Sequence, residues 1–392
     1  MIAQCKPTAH DVSSFGRRSK GACGYMESMT SAGRPTLPGR DYHAPEVFEL
    51  EREKIFFREW YYAGRADEAP EAGDFFTTDV VGESVLVVRG KDGRLHGFYN
   101  VCRHRGSRIC DPETHGHAKG AIKCPYHAWT YSYDGKLIGT PLIDKDELDR
   151  SALSLWPVHV DVWQGFVFVH LGEPEADVRT SFERQYDKPL LYEPWRMDEL
   201  RSAQQTVTEL HANWKILVEN YNECLHCPTV HPELVAVAPT FRKGLVFEEG
   251  RDDWGVSMEG AGYTATGTTT IPVMPGLTEQ QANAMHGASV FPNMFIDLTG
   301  TVVIATRMLP RGPEHTTIVT DYLFRPEVID SPGFDASETV EFSELVAHQD
   351  YVVCERVQQG VRSRAFTHGV YAEKDELPYL FNERYRAALA RT

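Results

Sequence analysis

Apolar and charged residues near the start of the chain recur with a helical period. The apolar positions within residues 44–60 include Val47, Leu50, Ile55, Phe56 and Trp60, with charged residues between them. This spacing predicts an amphipathic helix, and we assign residues 36–57 to a helical segment that packs on a larger domain. Residues 1–35 mix Lys, Arg, Ser and Gly without an apolar core, so we expect them to be disordered.

The pattern changes to short β-rich runs between residues 73 and 98. The clearest run is Val-Leu-Val-Val at 85–88, and Lys-Asp-Gly-Arg at 91–94 follows it with the composition of a hairpin turn. A last apolar run at residues 165–170 closes this part of the chain. We therefore predict a small antiparallel β domain over residues 58–172.

Helical and strand-like patterns alternate after residue 173. The helical stretches are residues 211–226, 336–359 and 376–390, and the strand-like runs include residues 301–306 and 317–324. This mixture predicts an α+β domain over residues 173–392 in which helices pack on a sheet, in a helix-grip-like arrangement. Residues 260–276 are rich in Gly and Thr, and we favour a surface connection there over a mobile loop that covers a site.

Composition narrows the class of protein. The 392 residues suffice for two domains with separate cores, and the absence of an apolar run of roughly eighteen residues argues against a membrane span or a secretory leader. The net charge of −16 disfavours a nucleic-acid surface, which needs clustered Lys and Arg. The 8 Cys in a chain of this length do not predict a disulfide framework, so we expect a reducing, cytoplasmic location.

Two short pairs of Cys and His carry the first metal chemistry. Cys102 and His104 form one pair, and Cys124 and His127 form the other. In a Rieske cluster two thiolates hold one iron of a 2Fe-2S unit and two imidazoles hold the other. The alternative is a structural zinc site, but zinc fingers usually group Cys with Cys and His with His. We therefore predict a Rieske cluster.

The surroundings of these pairs support the same interpretation. Residues 129–137 resemble the strand and turn that follow the second ligand pair in Rieske oxygenase large subunits, although Ala128 stands where that family usually has Gly. His115 and His117 lie between the pairs in a polar stretch, which we interpret as a solvated loop. Cys110 has no second loop Cys to pair with, which favours the oxygenases over respiratory Rieske proteins.

A second group of metal-ligand residues follows about a hundred residues later. Glu223 and His226 are three residues apart, which places them on one face of a helix, and His231 follows the helix-breaking Pro228. Two imidazoles and one carboxylate on one face of a metal are typical of mononuclear iron(II) oxygenases. Two nearby histidines alone are a weak signal, and Cys224 and Cys227 beside them are interpreted as packing or near-site thiols.

Together the two groups resemble the large subunit of Rieske non-heme iron oxygenases over most of residues 36–390. The resemblance aligns Asp350 with the carboxylate ligand of the iron, so that the ligands are His226, His231 and Asp350, while Glu344 and Glu355 are interpreted as solvated helix charges. It implies trimers in which Glu223 connects the cluster of one subunit to the iron of the next.

The resemblance also implies a substrate class. Ring-hydroxylating dioxygenases usually have Asp at position 223, and Glu223 with its neighbours is similar to the branch that acts on quaternary ammonium compounds such as glycine betaine, choline, carnitine and proline betaine. It implies hydroxylation of an N-methyl C–H bond with O2, followed by loss of formaldehyde. Hydroxylation or O-demethylation of aromatic compounds is the first alternative, and a Rieske electron carrier without the second iron is the other.

Electrons must come from another protein. The chain has no Gly-rich nucleotide fingerprint, so NAD(P)H and flavin belong to a separate reductase, with or without a ferredoxin. Ring faces would recognise a quaternary ammonium group, which has no N–H to donate. The aromatic residues available for this in the second half are Tyr221, Trp254, Tyr263, Phe291 and Phe366, and none of them is assigned to the substrate.

Overall fold

A computed structural model describes residues 33–391 except 145, 186–188, 249–250 and 252. The predicted disorder of residues 1–35 concerns mainly residues 1–32, which lie outside the described residues. Arg34–Pro35 at the end of that stretch forms strand β1, which pairs with β18 (Val370–Tyr371) near the other end of the chain.

The first half is built on an antiparallel seven-stranded sheet. Its strands in spatial order are β2 (Tyr61–Arg65), β11 (Phe166–His170), β10 (Pro157–Trp163), β5 (Leu95–Tyr99), β4 (Glu83–Arg89), β3 (Asp74–Val80) and β6 (His115–His117). A smaller sheet beside it contains β7 (Ile122–Lys123), β8 (Thr130–Tyr131) and β9 (Leu137–Gly139). The predicted hairpin turn joins β4 to β5, and Gly93 within it has φ 77°, a conformation that favours glycine.

The second half is built on an antiparallel six-stranded sheet. Its strands in spatial order are β12 (Arg201–Leu210), β17 (His315–Phe324), β16 (Val303–Gly312), β15 (Met294–Leu298), β14 (Ala284–Val290) and β13 (Val256–Ser257). The α-helices of the described chain are α1 (Pro45–Glu51), α2 (Val178–Gln185), α3 (Trp214–Tyr221), α4 (Cys227–Val230), α5 (Pro232–Val237), α6 (Glu279–Ala282), α7 (Pro326–Ile329), α8 (Ser337–Val361) and α9 (Glu376–Leu389). The long helix α8 packs against this sheet and contacts α3.

The helical segment before the first sheet contacts the second half through one buried acid. Glu51 at the end of α1 accepts hydrogen bonds from Trp214 Nε1 at 2.9 Å and from Tyr385 Oη at 2.7 Å, and its Oε1 lies 2.5 Å from Lys215 Nζ. Both charged side chains of this pair are fully buried. Because removing one partner leaves the other charge buried and unpaired, this pair holds the segment firmly against α3 and α9.

Asn293 connects the two sheets. Its Oδ1 accepts from the amide of Tyr62 on β2 at 2.9 Å, and its Nδ2 donates to the carbonyls of Tyr62 and Met308 at 3.0 and 3.2 Å. All three residues are buried, so the hydrogen bonds replace those lost to water. The first and second halves therefore share a continuous interior.

The α+β prediction is confirmed, with two local differences. The helix predicted over residues 211–226 ends at Tyr221. Residues 220–222 are poor helix formers, and the Glu223 side chain accepts a hydrogen bond from the backbone amide of His226. The surface connection predicted over residues 260–276 is wrong in part, since Tyr263 and Thr264 are buried. No helix of the described chain is long and apolar enough to cross a membrane.

Candidate metal centres

The predicted cluster ligands meet on two neighbouring loops of the first half. Cys102 and Cys124 are buried, whereas His104 and His127 are half-buried with ring centroids 4.6 Å apart. Strand β7 leads into the second pair and β8 follows it, so the small sheet positions these residues. The thiols therefore lie on the protein side of the site and the imidazoles lie toward the surface.

The side chains fit a 2Fe-2S cluster. His104 Nδ1 is buried and has no hydrogen-bond partner in the described part of the chain, and a buried polar atom without a partner is rare unless it binds an ion. Cys102 and Cys124 form no disulfide. Burial raises the pKa of the Cys102 thiol, and bonding to iron would offset this because a coordinated thiol is deprotonated.

Neighbouring residues orient this site. Tyr131 Oη lies 3.2 Å from Cys102 Sγ and accepts from the Arg103 amide at 3.1 Å. Trp129 stacks on His104 with ring centroids 4.6 Å apart and an interplanar angle of 8°. Ala128 has φ 55°, the left-handed conformation that favours glycine, which explains why the family usually has Gly there.

The residues between the two pairs differ from the prediction. His115 and His117 form strand β6 instead of a solvated loop, because β6 pairs with β3 at the edge of the sheet. Both side chains are exposed and lie beside acids, His115 at 2.5 Å from Glu68 and His117 at 2.8 Å from Asp74. Cys110 is a free thiol whose pKa is raised to about 11 by burial.

The second predicted group converges in the interior of the other half. His226 Nε2 lies 3.3 Å from Asp350 Oδ1, and His231 Nε2 lies 2.9 Å from the same oxygen. The three ligand atoms lie within 4.8 Å of one another. His226 immediately precedes α4, His231 lies between α4 and α5, and Asp350 projects from α8. The fold thus brings together residues that are 119 positions apart in sequence.

Hydrogen bonds at the far side of each imidazole prepare these nitrogens for a metal. His226 Nδ1 lies 2.6 Å from Glu223 Oε1, and His231 Nδ1 lies 2.8 Å from Gln349 Oε1. Glu223 and Gln349 each accept a hydrogen bond from the Nδ1–H of the imidazole, which leaves Nε2 as the nitrogen that a metal would bind. Asn220 Nδ2 donates to Asp350 Oδ1 at 3.1 Å. Two nitrogens and one carboxylate in this arrangement fit a mononuclear iron(II) ion.

In the metal-free site, a proton on His226 stabilises its contacts with Glu223 and Asp350. Burial acts to lower the pKa of His226, but its hydrogen bonds to Asp350 and Glu223 overcome that effect and raise the pKa to about 9. Burial acts to raise the pKa of Asp350, but the two histidines beside it lower the pKa overall. An ion at this site would take the place of the His226 proton.

The residues around the histidines also differ from the prediction. Glu223 is not on a helix with His226 but lies in the turn after α3, and the turn still brings its carboxylate to the imidazole. Cys224 and Cys227 are not free thiols, since they form a disulfide with their Cα atoms 5.0 Å apart. Gln349 and Asn220 were missed, because nothing in the sequence marks a hydrogen-bonding amide before the fold is known.

A cavity of about 140 Å³ adjoins the three ligands. The sheet contributes alternate residues of neighbouring strands, namely Phe295, Asp297, Ile304, Thr306, Met308, Ile318 and Thr320, and α8 lies opposite. Tyr221 and Tyr263 also line it, whereas Trp254, Phe291 and Phe366 are not among its lining residues. A dry cavity of about 150 Å³ accommodates a benzene-sized molecule, so this one suits a small substrate.

The two acids that were interpreted as solvated helix charges are both partly buried. Glu344 lines the cavity, and its Oε1 accepts from Thr206 Oγ1 and Tyr322 Oη, each at 2.8 Å. Glu355 lies outside the cavity and accepts from the His211 amide at 3.2 Å. The solvated interpretation is wrong for Glu344, because α8 places it at the cavity. Glu355 is half-buried outside the cavity and keeps contact with solvent.

Comparison with protein families gives two separate matches, one in each half of the chain. The Rieske [2Fe-2S] domain family matches residues 59–158, and the family of the ring hydroxylating alpha subunit (catalytic domain) matches residues 197–391. Each match therefore contains one of the two sets of candidate ligands.

Similar proteins include the glycine betaine monooxygenase oxygenase subunit of Chromohalobacter salexigens, with 30% identity over 378 residues that cover 88% of this chain and 83% of the relative. The carnitine monooxygenase oxygenase subunit of Acinetobacter pittii is 30% identical over 84% of this chain and 86% of its own. Among solved structures, a quaternary ammonium Rieske monooxygenase has 26% identity and a TM-score of 0.75 over 92% of this chain and 96% of its own.

The Rhodococcus naphthalene 1,2-dioxygenase shares the fold, with a TM-score of 0.71 and 20% identity over 91% of this chain and 95% of its own. Family match, relatives and fold agree on the type of enzyme. Its cofactors are those of the family, a Rieske 2Fe-2S cluster and a mononuclear iron. The chain belongs to the Rieske non-heme iron oxygenase large subunits, and it is an oxidoreductase similar to their quaternary ammonium monooxygenases.

Proposed function

We propose that this protein is the terminal oxygenase component of a Rieske oxygenase system that hydroxylates an N-methyl C–H bond of a betaine-like quaternary ammonium compound. One observation carries the proposal: the Nε2 atoms of His226 and His231 converge on Asp350 at the wall of a small, mostly apolar cavity. The relatives named for glycine betaine and carnitine support the substrate class.

The reaction follows from the chemistry of an N-methyl group. One oxygen atom of O2 enters the C–H bond, and the other leaves as water after uptake of two electrons and two protons. The hydroxymethyl ammonium product then breaks its C–N bond and gives formaldehyde, a tertiary amine and a proton. A ferrous ion held by two imidazoles and one carboxylate keeps positions open for O2 and would supply the oxygen activation.

The chain's own residues hold and orient this site. We assign His226, His231 and Asp350 as the iron ligands, and Cys102, His104, Cys124 and His127 as the cluster ligands. Gln349 fixes the ring of His231, and Asn220 fixes the carboxylate of Asp350.

Glu223 is the proposed connection between the two centres. Its Oε1 is 2.6 Å from His226 Nδ1, and its side chain keeps 16% of its surface exposed. A cluster histidine of a neighbouring copy could therefore reach the same carboxylate in a homotrimer. The related quaternary ammonium monooxygenase, whose structure is described as revealing inter-subunit electron transfer, supports this arrangement.

Ring faces account for recognition of the ammonium group. Tyr221 stacks on Phe295 with centroids 4.1 Å apart and an interplanar angle of 5°, and both rings line the cavity with Tyr263 and Phe241. A desolvated cation gains up to about 2 kcal/mol from an aromatic face. An N-methyl group held against these rings would lie beside the iron ligands.

Electrons come from a separate NAD(P)H-dependent flavin reductase in this proposal, with or without a ferredoxin. A cytoplasmic location remains a prediction that rests on the thiolates of Cys102 and Cys124, which a reducing compartment preserves.

The test is turnover with a chemical or enzymatic electron donor. Purified protein with iron and O2 is incubated with glycine betaine, carnitine, choline and an aromatic acid, and formaldehyde and the amine product are quantified. We expect formaldehyde and demethylated amine in equal amounts from at least one quaternary ammonium compound. Turnover of the aromatic acid alone would contradict the proposal, and absence of any turnover in protein that holds only cluster iron would favour the electron carrier.

A further inference from the structure

We propose that the substrate is an alkylammonium cation that carries no carboxylate or other anionic group, and that Asp297 and Glu344 select for it. This inference rests on the proposed function, and it narrows the betaine-like class to its members without an acid group. It follows from the charges that line the cavity beside the iron ligands.

Asp297 is placed in the cavity wall by the alternation of strand β15. Phe295 and Asp297 are two residues apart, so both side chains point to the same face of the sheet, and both line the cavity. Tyr221 Oη donates to Asp297 Oδ1 at 2.7 Å while the Tyr221 ring stacks on Phe295. A carboxylate and two ring faces are therefore held together at one wall.

Burial raises the pKa of the Asp297 carboxyl, with the Tyr221 hydrogen bond acting in the opposite direction. A cation bound in the cavity would stabilise the ionised form, and a substrate carboxylate would destabilise it. The environment of Asp297 therefore favours binding of a cation and disfavours binding of an anion.

Glu344 adds a second carboxylate from the helix opposite the sheet. It lies six positions before Asp350 on α8, and its Oε1 is held by Thr206 and Tyr322. These two hydrogen bonds fix the Glu344 carboxylate at the edge of the cavity, beside Thr206 and Tyr322, which do not line it.

Apart from the two iron-ligand histidines, no basic side chain balances these acids among the cavity-lining residues that the structure describes. The lining contains Glu223, Asp297, Glu344 and Asp350, and it contains neither Lys nor Arg. When a ferrous ion occupies the site, Asp350 and Glu223 together neutralise it. A cation beside Asp297 and Glu344 would favour the ionised form of the Asp297 carboxyl, whereas the acid group of a zwitterion would be repelled there.

The remaining polar groups of the cavity suit an uncharged group. Thr306 and Thr320 on the sheet contact each other through their hydroxyls at 3.2 Å, and Ser343 on α8 and Tyr263 also line the cavity. Hydroxyl groups bind a substrate alcohol or amide without requiring a charge. Glycine betaine and carnitine, for which the relatives are named, carry a carboxylate that finds no cationic partner here.

The test compares substrates that differ in one charge and little in shape. Each zwitterion is paired with its amide, glycine betaine with (carbamoylmethyl)trimethylammonium and carnitine with carnitinamide, and kcat/KM is measured by substrate loss and formaldehyde. We expect the amide of at least one pair to be preferred by about 100-fold, because a like charge in a buried site is strongly disfavoured. Since both members are measured on one protein, incomplete iron loading cancels from the ratio.

Two variants locate the preference, each with a matched control. Asp297→Asn and Glu344→Gln should each reduce the amide preference by about tenfold. Asp321→Asn changes a buried acid of the same sheet that bonds to Ser202 and Gln205 outside the cavity, and Glu355→Gln changes an acid of the same helix. Both controls should keep the wild-type ratio.

The outcomes separate this inference from the proposed function. Equal or better turnover of the zwitterions by the wild-type protein overturns the inference and leaves the proposed function intact. The same conclusion follows if the ratio of kcat/KM for amide and zwitterion is unchanged in both Asp297→Asn and Glu344→Gln. If one variant fails to fold, the other still decides the role of the acids. If the protein turns over none of the four compounds and does not turn over choline, the proposed function and the inference are both overturned.

Discussion

The cluster ligands lie on two neighbouring loops that reach the surface, whereas the iron ligands meet in the interior from elements far apart in the chain. His104 and His127 are half-buried beside one small sheet, while His231 is 1% exposed and meets Asp350 of α8 across 119 residues of sequence. The first site depends on local strand pairing, and the second depends on the packing of α8 against the six-stranded sheet.

This difference fits the task of each site. An electron carrier must be reached by partners, so its imidazoles lie at the surface, and a long approach through protein would slow transfer. Oxygen activation requires exclusion of water and a fixed substrate, and the buried cavity supplies both. The two regions should therefore respond independently to substitution.

The largest expected effect is the loss of the mononuclear iron in Asp350→Ala. The variant should lose activity by more than about 100-fold, since even removal of a residue that only supports a metal ligand costs 10–100-fold. Its cluster absorption should stay as in the wild type. The mirror variant Cys124→Ser should lose the cluster and keep the mononuclear iron. Loss of both centres in either variant would show that the two regions are not independent.

Glu223→Gln should affect transfer between the regions more than either region alone. We expect turnover to fall by about 10- to 100-fold, because Gln keeps the shape but not the charge that holds His226. Stopped-flow absorbance should show slow reoxidation of the cluster with substrate and O2 present. Glu355→Gln is the matched control, because Glu355 bonds to the His211 amide outside the site, and it should keep rapid reoxidation. Wild-type reoxidation in Glu223→Gln would refute a role in transfer.

Iron binding to the interior site should depend on pH. The pKa of His226 is raised to about 9 in the metal-free protein, so its proton stabilises that form fully below pH 6.5 and this contribution is lost as the pH rises through about 9. Iron must displace the proton. Affinity should therefore fall about tenfold per pH unit below pH 9, with release of about one proton per iron. Chelator competition between about pH 6.5 and 8.5 measures it, and a flat profile would contradict the assignment.

The smallest expected effect concerns the hydrogen bond at the cluster. Tyr131 Oη lies 3.2 Å from Cys102 Sγ, and a donor there stabilises the reduced, more negative cluster. Tyr131→Phe should lower the reduction potential by about 20–60 mV, which corresponds to one ordinary hydrogen bond. Protein-film voltammetry measures the shift, with Tyr133→Phe as control because Tyr133 bonds to the Ala118 carbonyl instead. An unchanged or raised potential in Tyr131→Phe would contradict the role of this bond.

The contrast between the regions also explains what the sequence could predict. The four predicted cluster ligands lie close together along the chain, and their spacing was enough to predict a cluster. The fold brings His104 and His127 together as expected. The approach of Asp350 to the histidines rested on a family resemblance, because no local pattern links residues so distant in sequence.

Other features depended on packing that no local pattern records. The sequence predicts an exposed helix charge at Glu344, but the packing of α8 on the sheet places it at the cavity. Nothing in the sequence distinguishes Gln349 from other polar residues, yet the fold brings it to His231. Tyr263 lies in a Gly- and Thr-rich stretch that predicts a surface connection, yet its ring lines the cavity. Charges and rings of a pocket are set by tertiary contacts, so the substrate class could only be narrowed from the structure.

The central claim is that one chain holds two different iron centres, a cluster and a single oxygen-activating iron. Mössbauer spectroscopy of the protein enriched in ⁵⁷Fe, with its cluster oxidised, tests this directly. We predict a high-spin ferrous signal from about one third of the iron, which disappears in Asp350→Ala while the cluster signal remains. A spectrum in which all the iron belongs to the cluster would contradict the claim.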